Sequence, residues 1–381
     1  MMDFSTVEQE VTEAVEQGVF PGVVVLVNRA GTVLYRRALG WRSLEPAQAP
    51  LSEETVFDLA SLTKPLATTL AIMLLVREKK LRLDDRVVRF FPNFGVHGTT
   101  DITFRHLLSH SSGLPAWRPY YREIIALEAK GKKVGFVGTS SAKEFVYTQL
   151  QREKLESPPG RQAIYSDLGF MLLGATVETI SGLELDQYCW NKIFRPLGLR
   201  STSFINLEIM RRRRLQPLVE KFAPTERCPW RKRVLCAEVH DDNAYVMGGV
   251  AGHAGLFSTV DDVDRLVNCL IACYRGESTF FPSTLVREFW TRDGRVPGST
   301  WALGWDTPSP QHSSAGDLFS SQSVGHLGFT GTSVWIDLER HVHVIVLSNR
   351  VHPRRDNDKI QAFRPALHNA IMRTVLGESS Q

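Results

Sequence analysis

The sequence predicts an α/β (α+β) fold in which both ends of the chain build one sheet and a helical domain is inserted between them. Two β-branched stretches, Gly22–Asn28 and Thr32–Leu39, flank a short turn and predict a hairpin. Helical spacing of apolar residues dominates the middle of the chain. β-Branched stretches return at Thr332–Leu338 and Val342–Asn349. Strands at both ends with helices between them favour a single sheet made by both termini.

The composition is that of an ordinary globular protein. The 381 residues include 45 Lys and Arg against 41 Asp and Glu, which gives a formal charge of +4. With 43% hydrophobic and 23% charged residues, the chain is not a disordered, collagenous or coiled-coil protein. The small net charge argues against a nucleic-acid partner. The run Arg211–Arg214 is either a solvated helix face or a patch for an anionic partner.

Two further features concern the compartment. The amino terminus lacks the basic region and the apolar core of a secretory signal. The longest apolar run, Leu70–Val76, is far shorter than the ~20 residues of a spanning helix, so we expect no integral membrane segment. The five cysteines are an odd number and predict reduced thiols. We therefore expect a cytoplasmic protein.

The sharpest chemical signal is Ser61-Leu62-Thr63-Lys64. Ser61 precedes a strongly helical pattern, and three residues along a helix return nearly to the same face, so Lys64 Nζ can reach Ser61 Oγ. A serine hydroxyl needs a base to become a good nucleophile, and a lysine is one when its pKa is depressed. The motif alone is common, and its ordinary interpretation is a capping serine followed by a chance lysine.

Two later motifs strengthen the catalytic interpretation. Tyr165-Ser166-Asp167 lies between a Pro-Gly turn and an apolar helix, where a tyrosine can relay a proton, although a half-buried core tyrosine is the commoner case. The segment that starts at His326 and includes Leu327, Gly328 and Phe329 leads into a strand. It is either an edge that offers backbone N–H groups to a carbonyl or a simple glycine-rich hairpin.

In this order the three motifs resemble those of the serine β-lactamase and penicillin-binding-protein superfamily. With a tyrosine in its second motif, the chain resembles the branch of class C β-lactamases, D-Ala-D-Ala carboxypeptidases and family VIII esterases. The resemblance implies a β-lactamase/transpeptidase-like fold, with an antiparallel sheet flanked by helices. We expect an α/β domain of residues 1–57 and 245–381 and a mainly helical domain of residues 58–244. The active site would lie between them.

The resemblance also implies a role for each motif residue. Ser61 would be the acyl-accepting nucleophile, Lys64 its base partner and Tyr165 the acid/base relay. The backbone N–H groups of Ser61 and Phe329 would form the oxyanion hole. Further residues expected near the substrate are His326, Gly328, Asp167 and His253, although His253 could equally have a packing role. The chemistry needs neither a cofactor nor a metal ion.

Three residues depart from the family pattern. Asp167 stands where Asn is usual, and a carboxylate near Lys64 favours the charged form of the lysine. His326 stands where Lys is usual, and we expect its charge to vary near neutral pH. Leu327 replaces a hydroxyl-bearing residue that helps to hold a substrate carboxylate. These changes weaken the case for an efficient β-lactamase and leave acyl transfer intact.

The expected function is a serine hydrolase that forms an acyl-enzyme on ester or amide bonds. Its substrates would be small esters or peptidoglycan-related D-amino-acid amides, with weak β-lactam reactivity. Two alternatives stay open: a non-catalytic binding or assembly module that keeps the pocket, and a genuine class C-type β-lactamase.

Overall fold

The computed structural model describes residues 2–131 and 135–377. Its α-helices are α1 Ser5–Glu16, α2 Thr69–Arg77, α3 Phe104–Leu108, α4 Tyr120–Ala129, α5 Ser140–Leu150, α6 Asp167–Ser181, α7 Leu185–Cys189, α8 Leu207–Arg213, α9 Asp242–Val246, α10 Val260–Arg275, α11 Ser283–Phe289 and α12 Ile360–Leu376. Its strands are β1 Gly22–Arg29, β2 Thr32–Ser43, β3 Ala49–Pro50, β4 Phe57–Asp58, β5 Ser203–Phe204, β6 Arg227–Cys228, β7 Arg233–Val234, β8 Leu256–Ser258, β9 Ser323–Leu327, β10 Ser333–Asp337 and β11 Val342–Ser348.

The main sheet joins the two ends of the chain. Its six strands run in the order β3-β2-β1-β11-β10-β9, and every neighbouring pair is antiparallel. At the centre Val25 of β1 lies opposite Val346 of β11, so the first and last strands of the chain pair directly. The fold is therefore mixed α/β with an antiparallel sheet flanked by helices, as the sequence predicted.

Strand β1 is buried on both faces of this sheet. Because side chains alternate along a strand, Val23, Val25 and Val27 pack in one core with residues of α1 and α12. Val24 and Leu26 point the other way and join the large core that includes α2 and α6. Burial on both faces explains why β1 is a continuous run of apolar residues rather than an alternating one.

The central helical segment changes its geometry along its length. A 3₁₀ turn at Ala60–Leu62 leads into a π-helical turn at Lys64–Thr68, and α2 follows directly. The sequence predicted one continuous helix here. Within the described residues, the segment 60–77 is long and apolar enough to cross a membrane, but 83% of it is buried inside the protein. This burial is typical of a helix in the core of a protein.

The glycine-rich loop of residues 248–255 packs against α6 and reaches the central helical segment. Thr68 Oγ1 donates a hydrogen bond of 2.7 Å to the carbonyl oxygen of Gly252. A Cβ added to Gly252 would lie 2.0 Å from the carbonyl oxygen of Phe170 and 2.9 Å from the amide nitrogen of Gly174, both in α6. Only glycine permits this approach of two backbones, and the next residue, His253, thereby lies beside the central helix.

We predict that Gly252→Ala destabilises the fold by about 3 kcal/mol or more, because α6 backbone atoms would have to move. Gly169→Ala is the matched control in α6, since its added Cβ meets nothing closer than 3.6 Å. Helix propensity makes that control neutral or stabilising by about 1 kcal/mol. Denaturant unfolding of both variants measures the difference, and equal stabilities would contradict this account of the loop.

Candidate active site

Ser61 lies at the start of the central helical segment, in a turn held by a buried carboxylate. Asp58 Oδ1 accepts a hydrogen bond of 2.8 Å from the Ala60 N–H, and Oδ2 accepts one of 2.7 Å from the His240 N–H. Ala60 has a φ of +47°, a conformation that costs a non-glycine residue energy. The turn places Ser61 Oγ at the surface of the core, where its side chain is partly exposed.

Lys64 is fully buried, and its ammonium group has three partners. Nζ donates to Ser61 Oγ at 3.0 Å and to the carbonyl oxygen of His253 at 3.1 Å. It also forms an ion pair of 2.7 Å with Asp167 Oδ1. The first two contacts are hydrogen bonds, whereas the Asp167 carboxylate supplies the opposite charge.

The charge state of Lys64 is set by two opposing effects. Burial lowers the pKa of Lys64, because a low-dielectric site disfavours an ammonium ion. The Asp167 carboxylate raises the pKa of Lys64, and Tyr165 adds to this effect. The net result is a pKa above the ordinary value of lysine. Lys64 is therefore a cation in the resting protein.

Tyr165 precedes α6 in a loop that His110 holds. The Ser166 side chain caps α6 by accepting from the Gly169 N–H at 3.2 Å. His110 accepts from the Ser166 N–H through Nδ1 at 3.0 Å, and its carbonyl oxygen accepts from the Ile164 N–H at 2.8 Å. The Lys64 Nζ atom lies 4.8 Å from the centre of the Tyr165 ring.

The phenol of Tyr165 is neutral in the resting site. Burial raises the pKa of Tyr165, and the positive charge of Lys64 and hydrogen bonds with Lys64 and Ser61 only partly oppose this. Its hydroxyl is therefore within reach of both members of the Ser61–Lys64 pair. A group in this place can carry a proton between the two and a leaving group.

The turn after β9 is fastened to the residues just before Ser61. Thr330 Oγ1 donates to the carbonyl oxygen of Asp58 at 2.7 Å, and Thr332 Oγ1 donates to that of Leu59 at 3.0 Å. A Cβ on Gly328 would lie 2.0 Å from Thr332 Oγ1, so this close approach requires glycine. The sequence analysis did not predict β9 as a strand, although it singled out the motif that ends it.

Phe329 projects from this turn, and its side chain is 49% exposed. Within residues 2–131 and 135–377, neither its N–H nor the N–H of Ser61 has a hydrogen-bond acceptor. Two free backbone donors on segments that are fastened together are what an oxyanion hole needs.

His326 is neutral, contrary to the expectation that it titrates near neutral pH. Its ring lies near Tyr165, with 6.0 Å between centroids, and the residue is 3% exposed. Burial, followed by the charge of Lys64, lowers the pKa of His326 to about 3. Nδ1 lies 2.9 Å from the carbonyl oxygen of Leu327, which can only accept, so the proton is on Nδ1. The buried Nε2 atom is therefore an unpartnered acceptor.

Two other residues expected near the substrate, His253 and Asp167, contact Lys64. The His253 side chain is 1% exposed, and its Nε2 atom lies 2.9 Å from Asp241 Oδ1. It reaches the site through its carbonyl oxygen, because the glycine-rich loop directs the ring inward. Asp167 is the first residue of α6, where the helix dipole favours a carboxylate. This carboxylate forms the ion pair with Lys64.

The sequence analysis missed two residues that pack around Tyr165. The His110 ring lies 4.6 Å from the Tyr165 ring, and the Trp301 ring lies 5.4 Å from it. Burial lowers the pKa of His110 well below its usual range, so it is a neutral support. Both residues lie far from Tyr165 in the sequence, so no periodic signal marks either contact.

The chain matches known proteins along almost its whole length. Residues 7–366 match the model of the Beta-lactamase family. A curated relative from Escherichia coli (strain K12), named "Putative D-alanyl-D-alanine carboxypeptidase", is 32% identical over 376 residues, which cover 90% of this chain and 81% of the relative.

Solved structures share the fold. The octameric penicillin-binding protein homologue from Pyrococcus abyssi is 24% identical with a TM-score of 0.74, covering 99% of this chain and 78% of that one. EstCE1, a hydrolase with promiscuous acyltransferase activity, is 23% identical with a TM-score of 0.71, covering 96% of this chain and 97% of that one. The family match and the resemblance drawn from the three motifs agree: this chain belongs to the Beta-lactamase family, a family of serine hydrolases.

Proposed function

We propose that this protein is a serine hydrolase that forms an acyl-enzyme on Ser61, with uncharged esters as its preferred substrates. The observation that carries the proposal is the contact of 3.0 Å between Lys64 Nζ and Ser61 Oγ, with Tyr165 next to both. Free N–H groups on Ser61 and Phe329 supply the electrophilic side of the site. A non-catalytic module would have no need of this combined geometry.

The reaction follows from these contacts. In the form of the site in which Lys64 has lost one proton, Ser61 Oγ attacks the carbonyl carbon while its own proton passes to the Lys64–Tyr165 pair, and the two backbone N–H groups hold the oxyanion. When the tetrahedral intermediate collapses, the bond to the leaving group breaks and the pair returns the proton to that group. A water molecule then attacks the acyl-enzyme by the same route and restores Ser61.

Replacing the nucleophile tests the proposal most simply. We predict that Ser61→Ala lowers the hydrolysis of a short-chain p-nitrophenyl ester by at least about a thousandfold, because the covalent step is lost. Ser141→Ala, at an exposed position of α5, is the matched control and should keep full activity. Equal rates for wild type and Ser61→Ala would contradict the assignment of an enzyme.

The preference for uncharged substrates rests on the third motif. His326 offers a neutral acceptor where the family usually has a cation, and Leu327 offers no hydroxyl. The ammonium group of Lys64 is already neutralised by Asp167. A substrate carboxylate would therefore meet an acceptor atom rather than a donor. The relative named as a D-alanyl-D-alanine carboxypeptidase keeps peptidoglycan-related D-amino-acid amides as the second candidate class.

Penicillins carry a carboxylate, so we predict that one labels Ser61 slowly and is turned over poorly. Leu327→Thr should raise the labelling rate about tenfold by adding a donor to a charged group. Leu327→Val is the matched control, because it has the shape of threonine without the hydroxyl. Adding His326→Lys to Leu327→Thr should raise the rate further. Intact-mass spectrometry follows the adduct, and rapid turnover by the wild type would contradict the prediction.

The ion pair between Lys64 and Asp167 has a kinetic consequence. The base form of Lys64 must lose a proton, and the raised pKa of Lys64 makes that form scarce at neutral pH. The rate should therefore rise with pH into the alkaline range. This follows because the deprotonated fraction increases until the pH passes the pKa of the Lys64–Tyr165 pair.

We predict that Asp167→Asn moves the rising limb of the pH–rate profile to lower pH and raises the rate at pH 7 by about tenfold. Removing the carboxylate removes the main effect that raises the pKa of Lys64. Asp261→Asn, in the first turn of α10 and exposed, is the matched control and should leave the profile unchanged. A lower rate for Asp167→Asn at every pH would mean that Asp167 accepts the proton from Lys64 during catalysis.

A further inference from the structure

Two buried arginines contact the turn that carries the Phe329 N–H. Arg364 of α12 is 6% exposed and Arg350 is 9% exposed. Neither forms an ion pair with a carboxylate in the parts of the chain that the structure describes, whereas most other buried basic groups here do. A buried guanidinium without a counter-ion is costly, so its place against this turn calls for a physical reason.

Arg364 is not needed to provide the carbonyl oxygens of this turn with hydrogen-bond donors. Arg364 Nη2 donates to the carbonyl oxygen of Gly328 at 3.1 Å and to that of Thr332 at 2.9 Å. Both oxygens already accept backbone hydrogen bonds, from the Gly331 N–H at 3.1 Å and from the Gly328 N–H at 2.7 Å. The turn would keep its backbone pairing without Arg364.

The position of the contact suggests an electrostatic role. The Gly328 carbonyl and the Phe329 N–H belong to one planar, conjugated peptide group. A cation that bonds to the oxygen draws electron density from the nitrogen and makes the N–H a stronger donor. In a water-poor site, the same positive charge also favours the negative charge that develops on the substrate oxygen.

We propose that Arg364 is a positioning residue that strengthens the oxyanion hole by polarising the Gly328–Phe329 peptide group. The inference rests on the proposed function, since it assumes that Ser61 and Phe329 hold an oxyanion. Burial and the nearby Arg350 lower the pKa of Arg364 to about 9, which leaves the group charged at neutral pH.

Arg350 provides a matched comparison within the same turn. Its Nε atom donates to the carbonyl oxygen of Phe329 at 2.9 Å, and its guanidinium lies 4.6 Å from the centre of the Phe329 ring. That carbonyl belongs to the next peptide group, whose N–H is on Thr330. Arg350 therefore braces the same turn without touching the peptide that supplies the oxyanion donor.

The test compares Arg364→Met, Arg364→Lys and Arg350→Met with the wild type. Three quantities are measured: the acylation rate with a p-nitrophenyl ester, the Kd of an arylboronic acid that forms a tetrahedral anion on Ser61, and Tm. We expect Arg364→Met to lose about tenfold in both acylation and boronate affinity, a part of the loss seen when a whole oxyanion donor is removed. KM should change little.

The other two variants separate the effect of the positive charge from the effect of supporting the turn. Arg364→Lys should recover most of both losses, and Arg350→Met should lose less than Arg364→Met at a similar or lower Tm. Equal losses for the two Met variants, or no loss for Arg364→Met while the wild type binds the boronate, would overturn the inference. A wild type that forms no adduct on Ser61 would instead overturn the proposed function.

Discussion

The site is organised around one buried ammonium ion. Lys64 Nζ lies in the core, donates hydrogen bonds to Ser61 Oγ and to the carbonyl oxygen of His253, and forms an ion pair with Asp167. Burying a cation is strongly unfavourable unless every donor is satisfied and a counter-charge is close. Each surrounding segment must therefore be placed accurately, and this is achieved by a π-helical turn, a glycine that meets a helix backbone and a carboxylate at a helix start.

This constraint links the fold to the chemistry. The central helix contributes Ser61 and Lys64, the glycine-rich loop contributes a carbonyl group, and the start of α6 contributes Tyr165 and Asp167. The sheet contributes the turn after β9, which Thr330 and Thr332 fasten to the backbone just before Ser61. Ser61 and the turn that carries the Phe329 N–H are thus held together by direct hydrogen bonds and not by general packing alone.

The sequence predicted what depends on short spacing and missed what depends on tertiary contact. The helical register of Ser61 and Lys64 and the position of Tyr165 before α6 are local features, so motif and periodicity were enough. The sheet made by both termini followed from two β-branched regions. The contribution of the His253 carbonyl, the support of Tyr165 by His110 and the contact of Arg364 with Gly328 depend on which distant backbones meet. The neutrality of His326 depends on burial, which its sequence neighbours did not indicate.

The central claim is that the resting protein holds Lys64 as an ammonium ion because Asp167 lies beside it. Nuclear magnetic resonance of lysine labelled at Cε, with Lys64→Met to assign the signal, measures the charge of this side chain directly. The account predicts that the Lys64 signal stays that of an ammonium ion beyond the pH at which an ordinary lysine, with a pKa of 10.5, is half deprotonated. A Lys64 signal that titrates near neutral pH would contradict it.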